Sequence, residues 1–104
     1  MIRADVLKQM VQRIAAAFHA EKIILFGSYA SGEATDDSDV DLLVVVSHSD
    51  DKPAQRAMRA YRCLRGLMVP TDILVKTPAE VDRFHPVHAS LESEILERGR
   101  VLYG

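Results

Sequence analysis

Apolar side chains recur at Leu7, Met10, Val11, Ile14, Ala15 and Phe18, with polar residues between them. Steps of three and four residues put them on one face of a helix, so residues 4–20 are predicted to form an amphipathic helix. The pattern then shortens. Ile23-Ile24-Leu25-Phe26 is an apolar run that stops at Gly27-Ser28, and it predicts a strand over about residues 22–27. Ser28 to Ser31 can form a short helix that Gly32 ends. Glu33 to Ser38 is polar apart from Ala34 and reads as a loop. Leu42 to Val46 reads as a second strand, opened by Asp39-Val40-Asp41.

Ser47 to Asp51 is a solvated loop leading into a helix over about residues 53–67, with Pro53 in its first turn. The predicted buried stripe of this helix is Ala54, Ala57, Met58, Tyr61, Leu64 and Met68. Pro70 breaks it, and Thr71 to Lys76 is a third strand. Thr77 is placed as the N-cap of another helical turn, with Glu80 at capping-box spacing. A last helix is expected at about residues 87–98, carrying Leu91, Ile95 and Leu96 and ended by Gly99. Arg100 to Tyr103 can add a short terminal strand. The order α-β-α-β-α-β-α predicts an α/β (α+β) chain with a small mixed sheet flanked by helices. Periodicity does not fix its strand order.

Candidate chemistry sits between the first two strands. Strand residues alternate faces, so Asp39 and Asp41 point one way while Val40 and Leu42 point the other. Two carboxylates on one face repel each other unless a cation lies between them. Oxygen-only ligands of this kind suit Mg²⁺, which is commonly held by one or two carboxylates plus substrate phosphates. Gly27 lets a ligand approach the backbone, and Ser28 at a helix start offers a hydroxyl and N–H groups to a phosphate. A plain turn and a solvated acidic loop, with Asp36 and Asp37 nearby, are the bland alternatives. The two features occur together with ten residues between Ser28 and Asp39, which favours a nucleotide-phosphate site. Asp36 and Asp37 read as loop solvation. Asp72 is the lone acid in an apolar, β-branched strand. It faces either solvent or a cation, because burying an unpaired carboxylate is costly. If the third strand lies beside the second, Asp72 joins Asp39 and Asp41 in a two-metal site.

Composition narrows the field. The chain has 104 residues, enough for a single domain over residues 1–104 with one core. A net charge of −2 gives no bulk attraction to nucleic acid or an anionic membrane. Cys63 is the only cysteine, so there is no intrachain disulfide, and a cytoplasmic location is expected. No run approaches the roughly 18 apolar residues of a membrane span.

Phe26-Gly27-Ser28-Tyr29-Ala30-Ser31-Gly32, then Ser38-Asp39-Val40-Asp41-Leu42-Leu43-Val44, with Asp72 downstream, resembles the minimal nucleotidyltransferases of the DNA polymerase β-like superfamily. The closing Glu97-Arg98-Gly99-Arg100-Val101-Leu102-Tyr103-Gly104 is also similar to that family's end. The resemblance covers nearly the whole chain. It implies the polymerase β-like nucleotidyltransferase fold. It implies that Gly27 and Ser28 hold a triphosphate, that Asp39, Asp41 and Asp72 bind two Mg²⁺ ions, and that Asp72 helps activate an acceptor hydroxyl. Tyr29 and Ser31 stand where many members carry basic residues. Stand-alone members of this size often pair with a helical HEPN-type toxin and act as its antitoxin, in some cases by transferring AMP from ATP to a tyrosine of the toxin. The alternative is a non-catalytic module that neutralises a toxin by covering it. Modification of a small antibiotic fits less well, because little surface is left once a nucleotide is bound.

Arg56, Arg59, Arg62 and Arg65 recur every three residues. They read as a solvated outer face, with a basic surface that docks a partner or a tRNA-like acceptor as the alternative. His48, His85 and His88 lack a second ligand set at metal spacing and read as surface or capping residues.

Overall fold

The first helical stripe forms as its spacing predicts. In the computed structural model, which describes Ile2 to Phe84, Ile95 and Glu97 to Gly104, helix α1 (Ala4–Phe18) buries Met10, Val11, Ile14 and Ala15. Leu7 and Phe18 pack against the same core from its margin. The helix ends where His19 turns into the left-handed region at φ 49°, and the His19 N–H bonds back to the Ala15 carbonyl.

The apolar runs become β1 (Lys22–Phe26), β2 (Val40–Val45) and β3 (Thr71–Lys76), and the chain closes with β4 (Arg100–Tyr103). Between β1 and β2 lies the short helix α2 (Gly27–Ser31). The strands make one mixed sheet in the order β3-β2-β1-β4. β1 runs antiparallel to both β2 and β4, while β2 and β3 are parallel. Both faces of β1 and β2 are covered, which is why these strands read as continuous apolar runs. One face carries Ile23, Leu25, Val40, Leu42, Val44, Ile73 and Val75 against α1 and the helix that follows β2. The other gathers Ile24, Leu43 and Ile95, with Phe26, Val45 and Leu74 around them. Burial of each Ile or Leu side chain here contributes about 2 kcal/mol.

That second major helix, α3 (Pro53–Cys63), departs from expectation. The expected stripe faces outward: Met58 is 54%, Tyr61 45% and Met68 93% exposed, and Ala54 is exposed too. Of that stripe only Leu64 is buried. The face turned inward is Arg56 and Ala60, with Cys63 half-buried. The helix is thus rotated by about one residue, roughly 100°. Arg56 explains the rotation. Its Nε donates to the Asp51 carbonyl at 3.0 Å, and Nη1 donates to the Val75 carbonyl at 3.2 Å and to Glu80 Oε1 at 2.6 Å. A guanidinium satisfied in this way can be buried, and its stem packs like an aliphatic chain. The reading of Arg56 as outer-face solvation is therefore corrected.

Arg59 is also engaged. It bonds Asp51 Oδ2 at 2.8 Å and the Ala17 carbonyl at 3.3 Å, and it lies 4.8 Å over the Phe18 ring. The helix stops at Cys63 rather than near residue 67. Three tight turns follow, and Gly66 supplies a φ of +91°.

Helix α4 (Pro78–Phe84) opens with the expected capping box. The Thr77 N–H donates to Glu80 Oε1 at 2.8 Å, and the Glu80 N–H donates to Thr77 Oγ1 at 3.3 Å. Of the helix expected at residues 87–98, Ile95, Glu97 and Arg98 are helical, and the rest lies outside the described residues, as do His85 and His88. His48 is a surface residue beside Asp50 at 3.1 Å. No helix among the described residues is long and apolar enough to cross a membrane.

Candidate active site

The strand register assembles the acids. Asp41 pairs with Asp72 across the parallel β2–β3 ladder and with Phe26 across the antiparallel β1–β2 ladder. Residues level in neighbouring strands share a face. Asp41 and Asp72 therefore lie on the face of Leu43, Leu74, Ile24 and Phe26, the one opposite α1 and α3. Asp39 precedes β2 and is exposed. The loop that delivers it is held by bonds between neighbours, among them the Thr35 N–H donating to Ser38 Oγ at 2.9 Å and the Ser38 N–H donating to the Thr35 carbonyl at 3.0 Å. The Val40 N–H then donates to the Pro70 carbonyl at 2.9 Å, which ties the start of β2 to the start of β3.

Electrostatics registers the convergence. Burial pushes the Asp41 carboxyl above its ordinary range, and the negative charges of Asp72 and Asp39 push it further. Gly27 stands against the same carboxylate. Its φ is +72°, and a Cβ there would run into Asp41 Oδ2. Gly27 is thus required twice, for its backbone angle and for the room it leaves Asp41. Open backbone for a ligand was the sequence-based reason; the neighbouring acid is a second one that only the fold reveals.

α2 begins at once, with Ser28 half-buried in its first turn. The Ser28 carbonyl accepts the Gly32 and Glu33 N–H groups and the Ser31 hydroxyl, the last at 3.2 Å, which closes the helix over Gly32 at φ 82°. Tyr29 belongs to the other side. Its hydroxyl accepts the Ile2 N–H at 3.0 Å, and its ring packs on the main core.

Gly27, Asp39, Asp41 and Asp72 thus come together at one end of the sheet, with Ser28 next to Gly27 in the chain; β3 lies beside β2, the condition on which Asp72 was expected to join the other two acids. Among the described residues no three His, Cys, Asp or Glu side chains close tightly enough to hold a metal ion unaided. The acids form an open, all-oxygen set whose mutual repulsion a divalent cation would relieve. That donor chemistry fits Mg²⁺ completed by phosphate oxygens. A cleft of about 540 Å³ adjoins this site, lined by Phe26, Gly27, Ala30, Ser31, Glu33, Ile95, Arg98 and Gly99. Its size lies within the roughly 300–1,000 Å³ of small-molecule sites. Arg98 lines this cleft, a placement that sequence reasoning missed. It stood inside the terminal motif, but nothing in local spacing says that residue 98 returns to residue 27.

Comparison with known proteins agrees with this geometry. A family model described as "Nucleotidyltransferase domain" matches residues 5–102. The chain is 29% identical over 101 residues to a Methanocaldococcus jannaschii protein named "Putative protein adenylyltransferase", covering 93% of this chain and 94% of that protein. It is also similar to a crystal structure titled as a "putative nucleotidyltransferase" from Sulfolobus solfataricus. That match has 31% identity and a TM-score of 0.59, and it covers 76% of this chain and 70% of the other.

Proposed function

We propose, for a chain that belongs to the nucleotidyltransferase domain family, that it transfers AMP from ATP to a hydroxyl, most simply a tyrosine, of a HEPN-type toxin protein and so acts as its antitoxin in the cytoplasm. The observation that carries the reading is the level pairing of Asp41 with Asp72 beside Gly27. Asp39, Asp41 and Asp72 would hold Mg²⁺, which supplies charge neutralisation on the phosphates and a more acidic acceptor hydroxyl. Gly27 and Ser28 bind and orient the triphosphate through backbone N–H groups and the Ser28 hydroxyl. The acceptor oxygen forms a bond to the α-phosphorus as the bond to pyrophosphate breaks. Asp72, which is exposed near the start of β3, would take up the proton that the hydroxyl loses.

The partner is expected on the outer face of α3, where Met58 and Tyr61 are exposed and Arg62 and Arg65 line the same shallow surface. Exposed apolar groups rimmed by charge are the usual mark of a protein contact. Covering a toxin without chemistry would use this surface and leave the acids idle. The deciding experiment incubates the chain and a co-encoded helical partner with ATP labelled at the α- or the γ-phosphate. Label should pass to the partner from the α-position only, and Asp41→Asn should abolish it. Rescue of growth by an Asp41→Asn variant as complete as by the wild type would favour covering alone.

A further inference from the structure

We infer that Arg98 grips the outer phosphates of the nucleotide from the wall of the cleft that faces α2. The inference rests on the ATP-binding reading above and adds a residue to it.

A bound triphosphate carries several negative charges beyond those a metal neutralises, and phosphate sites commonly meet them with a guanidinium, which can bond two oxygens at once. α2, Gly27-Ser28-Tyr29-Ala30-Ser31, has no charged side chain to offer. Among the described residues lining the cleft that opens at Gly27, Arg98 is the one cation, with Ser31 on the α2 side. Arg98 is exposed and takes part in no ion pair or hydrogen bond among the described residues. The contrast with Arg3, Arg13, Arg56 and Arg59 is plain, since each of these is committed to a protein acceptor.

Arg98 is also well anchored. The next residue, Gly99, bonds its N–H to the Ile95 carbonyl at 2.8 Å and has no room for a Cβ against Ile24 Cγ2. The backbone behind Arg98 therefore sits hard against β1, the strand that leads into Gly27. Glu33 lines the same cleft and would repel an anion. Among the described lining residues, the positive charge offered to the outer phosphates is then this one guanidinium.

Titration calorimetry on the full chain with Mg²⁺ present, using ATP, AMP and adenosine in turn, tests this. Arg98→Ala should weaken ATP binding by about tenfold or more, the usual scale for a charge-assisted bond. Adenosine binding should stay within about twofold of wild type, because adenosine has no phosphate to lose contact. Arg98→Lys should retain part of the affinity, and adding Ser31→Arg to Arg98→Ala should restore it from the facing wall. An unchanged thermal melt of Arg98→Ala would assign the loss to binding. Wild-type ATP binding matched by Arg98→Ala would overturn the assignment and leave the ATP reading intact. An equal loss for adenosine would also overturn it, since Arg98 would then serve the nucleoside. A wild-type chain that binds no ATP would overturn both.

Discussion

Asp41 carries the central conflict of this molecule at the scale of one residue. It is half-buried, it sits level with Asp72, and it presses on a glycine that cannot be enlarged. Each of these would suit a bound cation, and each works against the fold without one. The raised carboxyl pKa expresses this as stability: the folded state holds the Asp41 proton more tightly than the unfolded chain does. Stability from this group is therefore greatest where Asp41 is protonated. It is lost as pH rises from the unfolded carboxylate value, about 3.9, through the higher folded one. Asp41→Asn should accordingly raise the melting temperature of the metal-free protein at pH 7 while abolishing transfer, and the gain should fade at acid pH. A melt followed by circular dichroism at two pH values reads this directly. A variant less stable than wild type at pH 7 would mean that the carboxylate is held by favourable contacts rather than by repulsion. Trading stability for a strained charge cluster is the familiar cost of a working site.

At the scale of elements, the motif was legible and the helix face was not. Gly27, Ser28, Asp39 and Asp41 lie near the ends of short apolar strands, where period-two alternation leaves little freedom, so their spacing alone locates them. The Thr77–Glu80 capping box was readable for a similar reason, since it is local. α3 was misread because its apolar residues define one stripe while a buried arginine fixes another. Hydrophobic periodicity assumes that charge faces out, and Arg56 meets three acceptors supplied by residues 51, 75 and 80. No pattern within the helix announces them. Glu80 shows the energetic side. Burial alone would raise its carboxyl, but the Thr77 N–H, the Arg56 guanidinium and the Thr77 hydroxyl together hold it below its ordinary range. The ion pair thus contributes fully above the unfolded glutamate value of 4.5 and is lost as pH falls through the lower folded one. Arg56→Ala should cost about 3 kcal/mol at pH 7, because it removes a buried guanidinium with three acceptors, one of them the half-buried Glu80, and opens a gap. That cost should shrink below the acid transition. Arg62→Ala, on the exposed face, should stay within about 0.5 kcal/mol. Chemical denaturation of the two variants at neutral and acid pH separates these outcomes.

For the whole molecule, the sheet order and the return of Arg98 to Gly27 are long-range facts, and spacing along the chain does not encode them. They put the acids and the outer side of α3 on opposite sides of one sheet. The acids and the cleft occupy the face of Ile24 and Leu43, and the arginine-bearing outer side of α3 lies beyond the other. On the proposed function, a partner would hold one side while its acceptor segment reached round the β3 edge to Asp72, which lies on that edge strand. The arginines must now be sorted by what they touch. Arg56 and Arg59 also hold α3 to its neighbours, so reversing either charge would disturb the fold along with the surface and would not isolate docking. Arg62 and Arg65 flank Met58 and Tyr61 on the open side. The joint change Arg62→Glu and Arg65→Glu should therefore weaken binding of a HEPN-type partner by about tenfold or more and leave ATP binding within about twofold, as expected when interface charges act on association. The loss should diminish in added salt, because exposed charges beyond about 10 Å are screened at roughly 0.1 M. Tyr61→Ala should weaken the partner without any such salt dependence, since its contribution is apolar area. If both changes leave partner affinity as it was, the contact lies on the cleft side, and the acceptor is then held by the nucleotide site itself.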